Sequence, residues 1–267
     1  MIKIDRQVRM VAFDIFNNLR ETKLSRKEII DKIGGEYGIP AGTLYDWYRN
    51  THIPYGRKGK IVYRPEIYYV VGALLGDGCL YKWRLTNNYV ILVGDKRFAT
   101  KYSRLLGLCI NKRIKPYIDR SKNIWFSRVN NFELYELFKK SRADLDYLKN
   151  LILKSGHRAA LFFVEGFFDA EGCVKIIKEL SRITPKICLD MTNTNLEILN
   201  LVKALLLETL NIETRYSVQK AYGNRKICHH LRIYRKEDIQ KFLKYVPTTK
   251  LKDEKIILVK NWLNKTK

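Results

Sequence analysis

Several features of membrane-spanning and metal-stapled proteins are missing from this chain of 267 residues. No uninterrupted apolar run approaches the roughly 18 residues that a membrane-spanning helix needs, and the first residues form no signal-peptide pattern. The five cysteines include no C-x-x-C pair, which excludes a disulfide framework or a zinc site of the usual spacing and indicates reduced packing residues. We therefore expect an intracellular protein, cytoplasmic or associated with the nucleoid, that has no membrane partner.

Acidic residues are also scarce. The sequence has 27 Asp and Glu against 51 Lys and Arg, which gives a formal net charge of +24. A field of this strength attracts polyanions, and nucleic acid is the favoured partner when nothing indicates a membrane. Apolar residues make up 46% of the chain, which is enough for a substantial folded core.

A nine-residue pattern occurs twice at a constant offset (171 − 77 = 94). Residues 70–78 read V-V-G-A-L-L-G-D-G, and residues 164–172 read V-E-G-F-F-D-A-E-G. The acid before the final glycine is Asp77 in the first copy and Glu171 in the second. A period this long that occurs only twice indicates two pseudo-symmetric half-domains rather than a solenoid.

The spacing of apolar residues predicts the same order of elements after each copy. Helical periodicity alternates with strand-like alternation to give α-β-β-α-β-β-α, with antiparallel strand pairs, in each half. We predict an α+β fold with half-domains over residues 63–157 and 158–267 and a small all-α domain with a basic linker over residues 1–62.

The N-terminal domain shows the signals of three short helices. Ser25 and Glu28 form a capping box at the start of the second helix, and Gly34-Gly35 together with Gly38-Ile39-Pro40 are expected to break the helical pattern. A third helix is predicted over residues 41–49.

Two short helices around a glycine-containing turn make this N-terminal domain resemble helix-turn-helix DNA-binding domains. The third helix would then present Thr43 and Arg49 to a major groove. The alternative is a helical hairpin that only packs on the main body.

The strand-rich parts of both repeats carry charge of nearly one sign. Between residues 78 and 131 there are 12 Lys or Arg against two acids, and between residues 213 and 236 there are seven against one. Solvated strand faces normally mix both signs, so these faces are predicted to follow phosphates and read base edges. The predicted DNA-binding residues of the repeats are Tyr81, Lys82, Arg84, Lys112, Arg113, Lys115, Arg120, Lys122, Arg128, Lys175, Lys178, Arg182, Lys186, Arg215, Lys220, Arg225, Lys226, Arg232 and Arg235.

The small residues of the doubled motif indicate a contact between helices. Glycine inside a helix costs about 1 kcal/mol relative to alanine, yet Gly72 and Gly76 lie four residues apart, and Gly166 and Ala170 repeat that spacing. Small residues at this spacing form a flat stripe on one helix face. We expect the two motif helices to touch along these stripes with their C-terminal ends side by side.

Each motif helix is predicted to end in a carboxylate, Asp77 or Glu171. A carboxylate there faces the negative end of the helix dipole, and two carboxylates brought together repel each other. Hard divalent cations would stabilise the pair, because Mg²⁺ binds converging oxygen ligands together with phosphate oxygens. We predict two or more Mg²⁺ ions shared between Asp77 and Glu171, with Gly76 and Ala170 in the same site. The alternative is that each acid caps a turn.

These two motifs resemble the signature motifs of the single-chain, two-repeat LAGLIDADG homing endonucleases, and the predicted element order is that family's order. The resemblance covers about residues 63–267. It implies that the motif helices form the interface between half-domains and that Asp77 and Glu171 bind the catalytic metals. It also implies that the two sheets form a saddle in the major groove and that both strands are cut to leave short 3′ overhangs.

The resemblance implies further catalytic positions. A polar residue that ends the second strand of each repeat, and helps to order the attacking water, corresponds to Asp95 and Asn193. A basic residue near the metals corresponds to Lys252, with Lys96 as the candidate in the first half.

Two positions depart from the family motif. Leu75 stands where the family often has Asp, and Glu171 stands in place of Asp, but neither change removes a metal-binding acid. Asp169 is the counterpart of Leu75 and is interpreted as a local packing or turn residue.

We predict a monomeric, Mg²⁺-dependent, site-specific endonuclease of double-stranded DNA, encoded within an intron. Two alternatives remain: an RNA maturase whose partner is intron RNA, and a non-catalytic DNA-binding regulator, which should have lost one or both acids. A self-splicing insert would begin with Cys or Ser and end in His-Asn, so the terminal Met1 and Lys267 lead us to expect a free-standing protein.

Overall fold

The computed structural model of the chain describes residues 4, 6–51, 54, 60–83, 87–177, 185–220, 227–251 and 253–264. Contacts between Cα atoms divide the chain into two units: residues 1–60, 80–90 and 130–136 form one, and residues 61–79, 91–129 and 137–267 form the other. Within the described ranges, no helix is both long enough and apolar enough to cross a membrane.

The N-terminal residues form three helices, α1 (Arg6–Arg20), α2 (Arg26–Tyr37) and α3 (Ala41–Tyr48). The predicted capping box is present, since the backbone amide of Ser25 donates to Glu28 Oε2 at 2.7 Å and that of Glu28 donates to Ser25 Oγ at 3.4 Å. The three helices and the turn between α2 and α3 share a buried apolar core, which consists of Ala12, Phe16, Ile29, Ile30, Ile33, Ile39, Leu44 and Trp47.

The expectation that Gly34 and Gly35 break the second helix is wrong. Helix α2 continues through both glycines and ends at Tyr37, just before Gly38, the other predicted break, whose φ of 64° lies in the left-handed region that favours glycine. A Cβ atom on Gly34 would lie 3.4 Å from the carbonyl oxygen of Ile39 and 3.5 Å from Leu44 Cδ1, which are ordinary van der Waals distances. Three buried isoleucines anchor the helix and outweigh the roughly 1 kcal/mol that each glycine costs.

Both repeats show the predicted order of elements. The first contains α4 (Glu66–Asp77), β1 (Gly78–Trp83), β2 (Asn87–Gly94), α5 (Lys96–Ile110), β3 (Tyr117–Asp119), β4 (Ile124–Asn130) and α6 (Phe132–Ala143). The second contains α8 (His157–Glu171), β5 (Gly172–Ile177), β6 (Lys186–Asn193), α9 (Leu196–Leu210), β7 (Arg215–Gln219), β8 (Cys228–Ile233) and α10 (Lys236–Tyr245). Two further helices, α7 (Leu145–Lys154) and α11 (Asp253–Asn264), follow the first and second repeat, respectively.

Each repeat builds a four-stranded sheet with the same topology. The strand orders are β1-β2-β4-β3 and β5-β6-β8-β7, and the pairs of the second sheet are antiparallel. The α+β fold class predicted from the sequence is therefore confirmed, including the two antiparallel sheets and the N-terminal helices.

Helix α7 is an addition to the predicted order. Its buried residues are Leu148 and Ile152, which lie four positions apart on one face. Asp144 caps it by accepting from the amide of Tyr147 at 2.8 Å. Because Asp144 is the single residue between α6 and α7, the first repeat has no extended segment after α6.

The long helices α5 and α9 have matching ends, which supports the duplication. Each has 15 residues, an Asp or Asn at the N-cap and an asparagine in the left-handed conformation just after its end. The capping side chains belong to Asp95 and Asn195, and the left-handed residues are Asn111 and Asn211. Both repeats therefore cap this helix, α5 or α9, in the same way at its N-terminal and C-terminal ends.

Candidate metal centre and nucleic-acid interface

The motif helices α4 and α8 touch backbone to backbone. A Cβ atom on Gly72 would lie 2.3 Å from the carbonyl oxygen of Phe163, and one on Gly166 would lie 2.1 Å from that of Tyr69. Such distances leave no room for any side chain. The glycines of the doubled motif therefore lie where the two helices contact each other, because only glycine permits this approach.

The same contact continues to the C-terminal ends of the helices. A Cβ atom on Gly76 would lie 2.5 Å from Ala170 Cβ and 2.8 Å from Glu171 Cγ. The last residues of α4 and α8, Asp77 and Glu171, are therefore neighbours at one end of the helix pair.

The environment of the two carboxylates disfavours their charged forms. Burial, followed by the negative charge of Asp77, raises the pKa of Glu171 to about 7, although Lys250 and a hydrogen bond from Asn193 oppose the rise. Burial also raises the pKa of Asp77, and Lys250 again acts in the opposite direction. These are the expected signs for two like charges brought together at a partly desolvated position.

Lys250 is the basic residue that the structure places beside the carboxylates. Its Nζ atom donates to the carbonyl oxygen of Ala170 at 2.9 Å, and its charge acts on both Asp77 and Glu171. The sequence argument chose Lys252, two residues later, which lies outside the described residues. The lysine-rich segment indicated that a basic residue would lie near the carboxylates, but its sequence did not indicate which lysine.

The other predicted catalytic residues have different surroundings. Asn193 Nδ2 donates to Glu171 Oε1 at 3.0 Å, so the end of β6 reaches the carboxylate pair. Asp95 caps α5 by accepting from the amide of Phe98 at 2.9 Å. Lys96 lies with Nζ 5.4 Å from the centre of the Trp125 ring. The structure therefore brings Asn193 to the centre and gives Asp95 and Lys96 contacts of their own.

The donor set fits a hard divalent cation. Among the described residues, no group of three or more His, Cys, Asp or Glu is placed to hold a metal ion, so Asp77 and Glu171 alone would supply the carboxylate oxygens. Mg²⁺ is commonly held in this way, by one or two carboxylates together with phosphate oxygens and water. Burial and the charge of Asp77 raise the pKa of Glu171 to about 7, and an added cation at the pair would oppose that rise.

The second sheet carries a row of polar residues across all four strands. Cys173, Asp190, Arg232 and Arg215 are consecutive cross-strand partners, so they share one face. Lys175, two residues from Cys173, lies on the same face. The opposite face contains buried residues such as Leu189 and therefore packs toward the core.

Asp190 is the centre of a charged cluster on this face. Its side chain is fully buried and is in hydrogen-bonding contact with Lys175 Nζ, with Arg232 Nε at 3.2 Å and with His230 Nδ1 at 3.1 Å. The sequence analysis did not single out Asp190, because an acid in a strand gives no sign of its cross-strand neighbours. We call these four residues the Asp190 cluster.

The remaining predicted DNA-binding residues are mostly exposed. In the first repeat, Tyr81, Lys82, Lys112, Arg113, Lys115, Arg120, Lys122 and Arg128 are all exposed. In the second repeat, Lys186, Arg215, Lys220 and Arg235 are exposed. The predicted DNA-binding residues that lie outside the described residues are Arg84, Lys178, Arg182, Arg225 and Lys226.

The N-terminal helices carry their own basic and aromatic surface. Arg26 stacks over the rings of Tyr45 and Tyr48, at 4.5 and 5.0 Å from the ring centres. Thr43 is half-buried within α3, and Arg49 is exposed directly after it. The assignment of Thr43 and Arg49 to a major groove stays a prediction.

Comparison with known proteins identifies part of the chain by sequence. Residues 159–247 match the family described as LAGLIDADG-like domain. The uncharacterized protein MJ0398 of Methanocaldococcus jannaschii is 27% identical over 244 residues, which span 84% of this chain and 83% of that protein. The uncharacterized protein MJ0314 of the same organism is 32% identical over 162 residues, which span 59% of this chain and 58% of that protein.

Solved structures share the fold. The crystal structure of I-DmoI in complex with DNA and Ca matches with a TM-score of 0.51 at 20% sequence identity, covering 73% of this chain and 96% of that chain. At this level of identity the match shows the fold alone. Together with the matched family, it confirms the resemblance inferred from the two nine-residue motifs.

Proposed function

We propose that this chain, which contains a LAGLIDADG-like domain, is a divalent-metal-dependent endonuclease that cleaves both strands of double-stranded DNA at a specific site. The observation that carries the proposal is the pair of acids, Asp77 and Glu171, at the ends of two helices in backbone contact. A fold that needed only stability would not place two carboxylates at neighbouring helix ends, where dipoles and mutual repulsion both disfavour them.

Each residue at the centre has a chemical role in this proposal. Asp77 and Glu171 would hold Mg²⁺, which when bound would supply Lewis-acid stabilisation of charge on the scissile phosphates. Asn193 orients the Glu171 carboxylate through the hydrogen bond at 3.0 Å. Lys250 brings a positive charge and proton donors to the side of the pair, where it stabilises the negative charge that develops as water attacks the phosphate.

DNA binding is assigned to the basic strand faces. The exposed lysines and arginines of both sheets neutralise phosphates, and the Asp190 cluster offers donors to base edges. The helix-turn-helix-like helices α1 to α3 add affinity outside the sheet footprint. Because both acids belong to one chain, we propose that the active form is a monomer. Encoding within an intron, and 3′ overhangs, belong to the same proposal.

Cleavage of a random DNA library tests the function. The full chain is incubated with Mg²⁺ and the library, cut ends are sequenced, and the recovered site is then used for single-turnover kinetics. We expect Asp77→Asn and Glu171→Gln to lose cleavage by several orders of magnitude while still binding the site without divalent cations. Glu208→Gln removes an exposed acid of α9 and is the matched control.

Two results would contradict the proposal. Site-specific binding by the wild-type chain without cleavage in Mg²⁺ or Mn²⁺ would favour the non-catalytic regulator. Much tighter binding to intron RNA than to any DNA, again without DNA cleavage, would favour the maturase.

A further inference from the structure

We infer that Asp169 is a positioning residue that holds Lys250 at the carboxylate pair by fixing the segment that carries this lysine. The inference rests on the proposed function for its meaning in catalysis, but it is argued from contacts within the protein. The segment concerned consists of residues 247–250 and is called the lysine segment here.

Asp169 accepts hydrogen bonds from four donors on three parts of the chain. Its Oδ2 atom accepts from Tyr69 Oη at 2.8 Å and from Lys101 Nζ at 2.6 Å. Its Oδ1 atom accepts from Thr248 Oγ1 and from the amide of Thr249, both at 2.7 Å. The side chain is fully buried. Half of its hydrogen bonds therefore go to the irregular lysine segment rather than to a neighbouring helix.

A second hydrogen bond connects this anchor to Lys250. Thr248 Oγ1, which donates to Asp169, also accepts from the backbone amide of Lys250 at 3.0 Å. Two residues beyond the anchor, Lys250 Nζ then reaches the carbonyl oxygen of Ala170, the residue that follows Asp169 in α8. The lysine segment is thus fixed to the end of α8 at both its backbone and its terminal nitrogen.

Lys101 of α5 fixes the start of the lysine segment. Its Nζ atom donates to the carbonyl oxygen of Pro247 at 2.6 Å, and it forms ion pairs with both Glu165 and Asp169 at 2.6 Å. A helix of the first repeat and a helix of the second therefore clamp the same segment.

The fold itself does not require an acid at this position. The counterpart of Asp169 in the first repeat is Leu75, which is also buried but apolar. In that repeat α6 is followed after one residue by α7, so there is no extended segment to anchor. Burying a carboxylate is unfavourable unless it is well paired. The acid thus occurs in the half of the molecule where a lysine-bearing segment passes.

The cleanest test removes the connecting hydroxyl and leaves Asp169 in place. Thr248→Val is nearly isosteric and deletes the link between Asp169 and the amide of Lys250. We expect its single-turnover cleavage rate to fall between about 10- and 100-fold, as for a reacting group displaced by about 1 Å. The dissociation constant for DNA without divalent cation should be unchanged.

Thr248→Ser restores the hydroxyl and should rescue the rate. Thr209→Val, which removes a partly buried hydroxyl of α9 bonded only within its helix, controls for loss of stability.

A double-mutant cycle separates positioning from a general structural effect. If Thr248 acts through Lys250, adding Thr248→Val to Lys250→Met causes no further loss of rate. The second readout needs no cleavage: reductive methylation of Lys250, followed by mass spectrometry, should be several-fold faster in Thr248→Val and Asp169→Asn than in the wild type and in Thr209→Val.

Three outcomes overturn the inference: an unchanged cleavage rate in Thr248→Val, an equal loss in the Lys250→Met background, or unchanged reactivity of Lys250. If the wild-type chain cleaves no DNA, the proposed function fails, and the reactivity of Lys250 alone decides whether Asp169 positions it.

Discussion

The raised pKa of Glu171, about 7, has a consequence for cation binding. Its pKa of about 7 is high because of burial and the charge of Asp77, so at neutral pH about half of the cation-free molecules carry a proton there. A divalent cation binds the ionised carboxylate, so the proton must leave when the cation enters.

We therefore predict that affinity for Mg²⁺ rises with pH and levels off above pH 7. Below the pKa of Glu171, about 7, affinity should gain about tenfold per pH unit, because one proton competes with one cation. Isothermal titration calorimetry between pH 5.5 and 8.5 measures this, and proton release follows from its buffer dependence. Glu171→Gln should abolish most of the slope. A flat profile in the wild type would show that Glu171 does not ligate the cation.

The raised pKa of Glu171 also determines the direction in which stability changes with pH. An acid whose pKa is higher in the folded state favours folding in its protonated form, so the cation-free protein loses stability as pH rises from about 4.5 through about 7. Added Mg²⁺ should restore that stability above pH 7, since it binds only the folded state.

Asp190 allows a prediction about specificity. It fixes the directions of Lys175 and Arg232, whose donors would otherwise rotate freely on an exposed sheet face. Asp190→Asn is expected to raise affinity for random DNA by a few-fold, because a negative charge is lost. It should lower the ratio of cognate to random affinity by about tenfold, on the order of one base contact of 1–3 kcal/mol. Competition binding against single-mismatch sites measures both quantities.

Glu213→Gln is the matched control for this change. Glu213 is an exposed acid that pairs with Arg235 at 3.5 Å near the same sheet, so its loss removes a negative charge without freeing the Asp190 cluster. It should raise the affinity for random DNA to a similar degree and leave the cognate ratio unchanged. Equal ratios in both variants would show that Asp190 does not align base-reading groups.

At the scale of elements, the contact of α4 with α8 gives the sharpest prediction. In Gly72→Ala, the new methyl group would lie 2.3 Å from the Phe163 carbonyl oxygen, so the helices must separate. We expect a loss of about 1–3 kcal/mol in the free energy of unfolding, the range seen for overpacked cores. Urea denaturation measures it.

Gly35→Ala provides the control for helix propensity. It lies inside α2, and a Cβ atom there would meet nothing within 4 Å. This substitution should stabilise the N-terminal helices by about 0.5–1 kcal/mol, because alanine favours a helix and restricts the unfolded chain. A loss of stability in Gly35→Ala comparable to that in Gly72→Ala would contradict the packing argument.

Most of the elements could be predicted from the sequence, because each depends on a local period, but α7 was not predicted. The doubled motif identified α4 and α8, and the small residues indicated that the two helices touch. Gly34 and Gly35 misled the prediction for α2, since the penalty is local but the buried isoleucines that offset it pack against other helices.

The position of Lys250 beside the carboxylates could not be predicted, for a physical reason. The lysine segment is irregular, so no period assigns its side chains to a face. Its direction is set by hydrogen bonds to Asp169, about 80 positions away along the chain. Asp169 itself looked like a local turn residue because its partners come from α4, α5 and the lysine segment. Only the folded structure brings them together.

At the scale of the whole molecule, the proposed function assigns DNA affinity to the net charge and cleavage to the carboxylate pair. A net charge of +24 on 267 residues gives attraction to any duplex. Lys250 contributes at the carboxylates and the sheet residues contribute to binding. Variants of the two groups should therefore have different effects. Lys250→Met should lose cleavage without losing affinity for DNA. Substitution of exposed sheet lysines should lower the affinity with little loss of the cleavage rate at saturation.

The dependence of binding on salt distinguishes phosphate contacts from base contacts. Each neutralised phosphate contributes about −0.9 to the slope of log K against log salt, because its counterions are released. Lys220 is exposed just after β7, and Lys220→Gln should make the slope shallower by about that amount and weaken cognate and random DNA equally. Arg232→Gln, within the Asp190 cluster, should instead lower the cognate ratio and leave the slope nearly unchanged. Fluorescence anisotropy at salt concentrations from about 50 to about 300 mM KCl, which bracket physiological ionic strength, measures the slope and the cognate ratio. If the two variants change the slope alike, both residues contact phosphates, and base readout must be assigned to other side chains of the sheets.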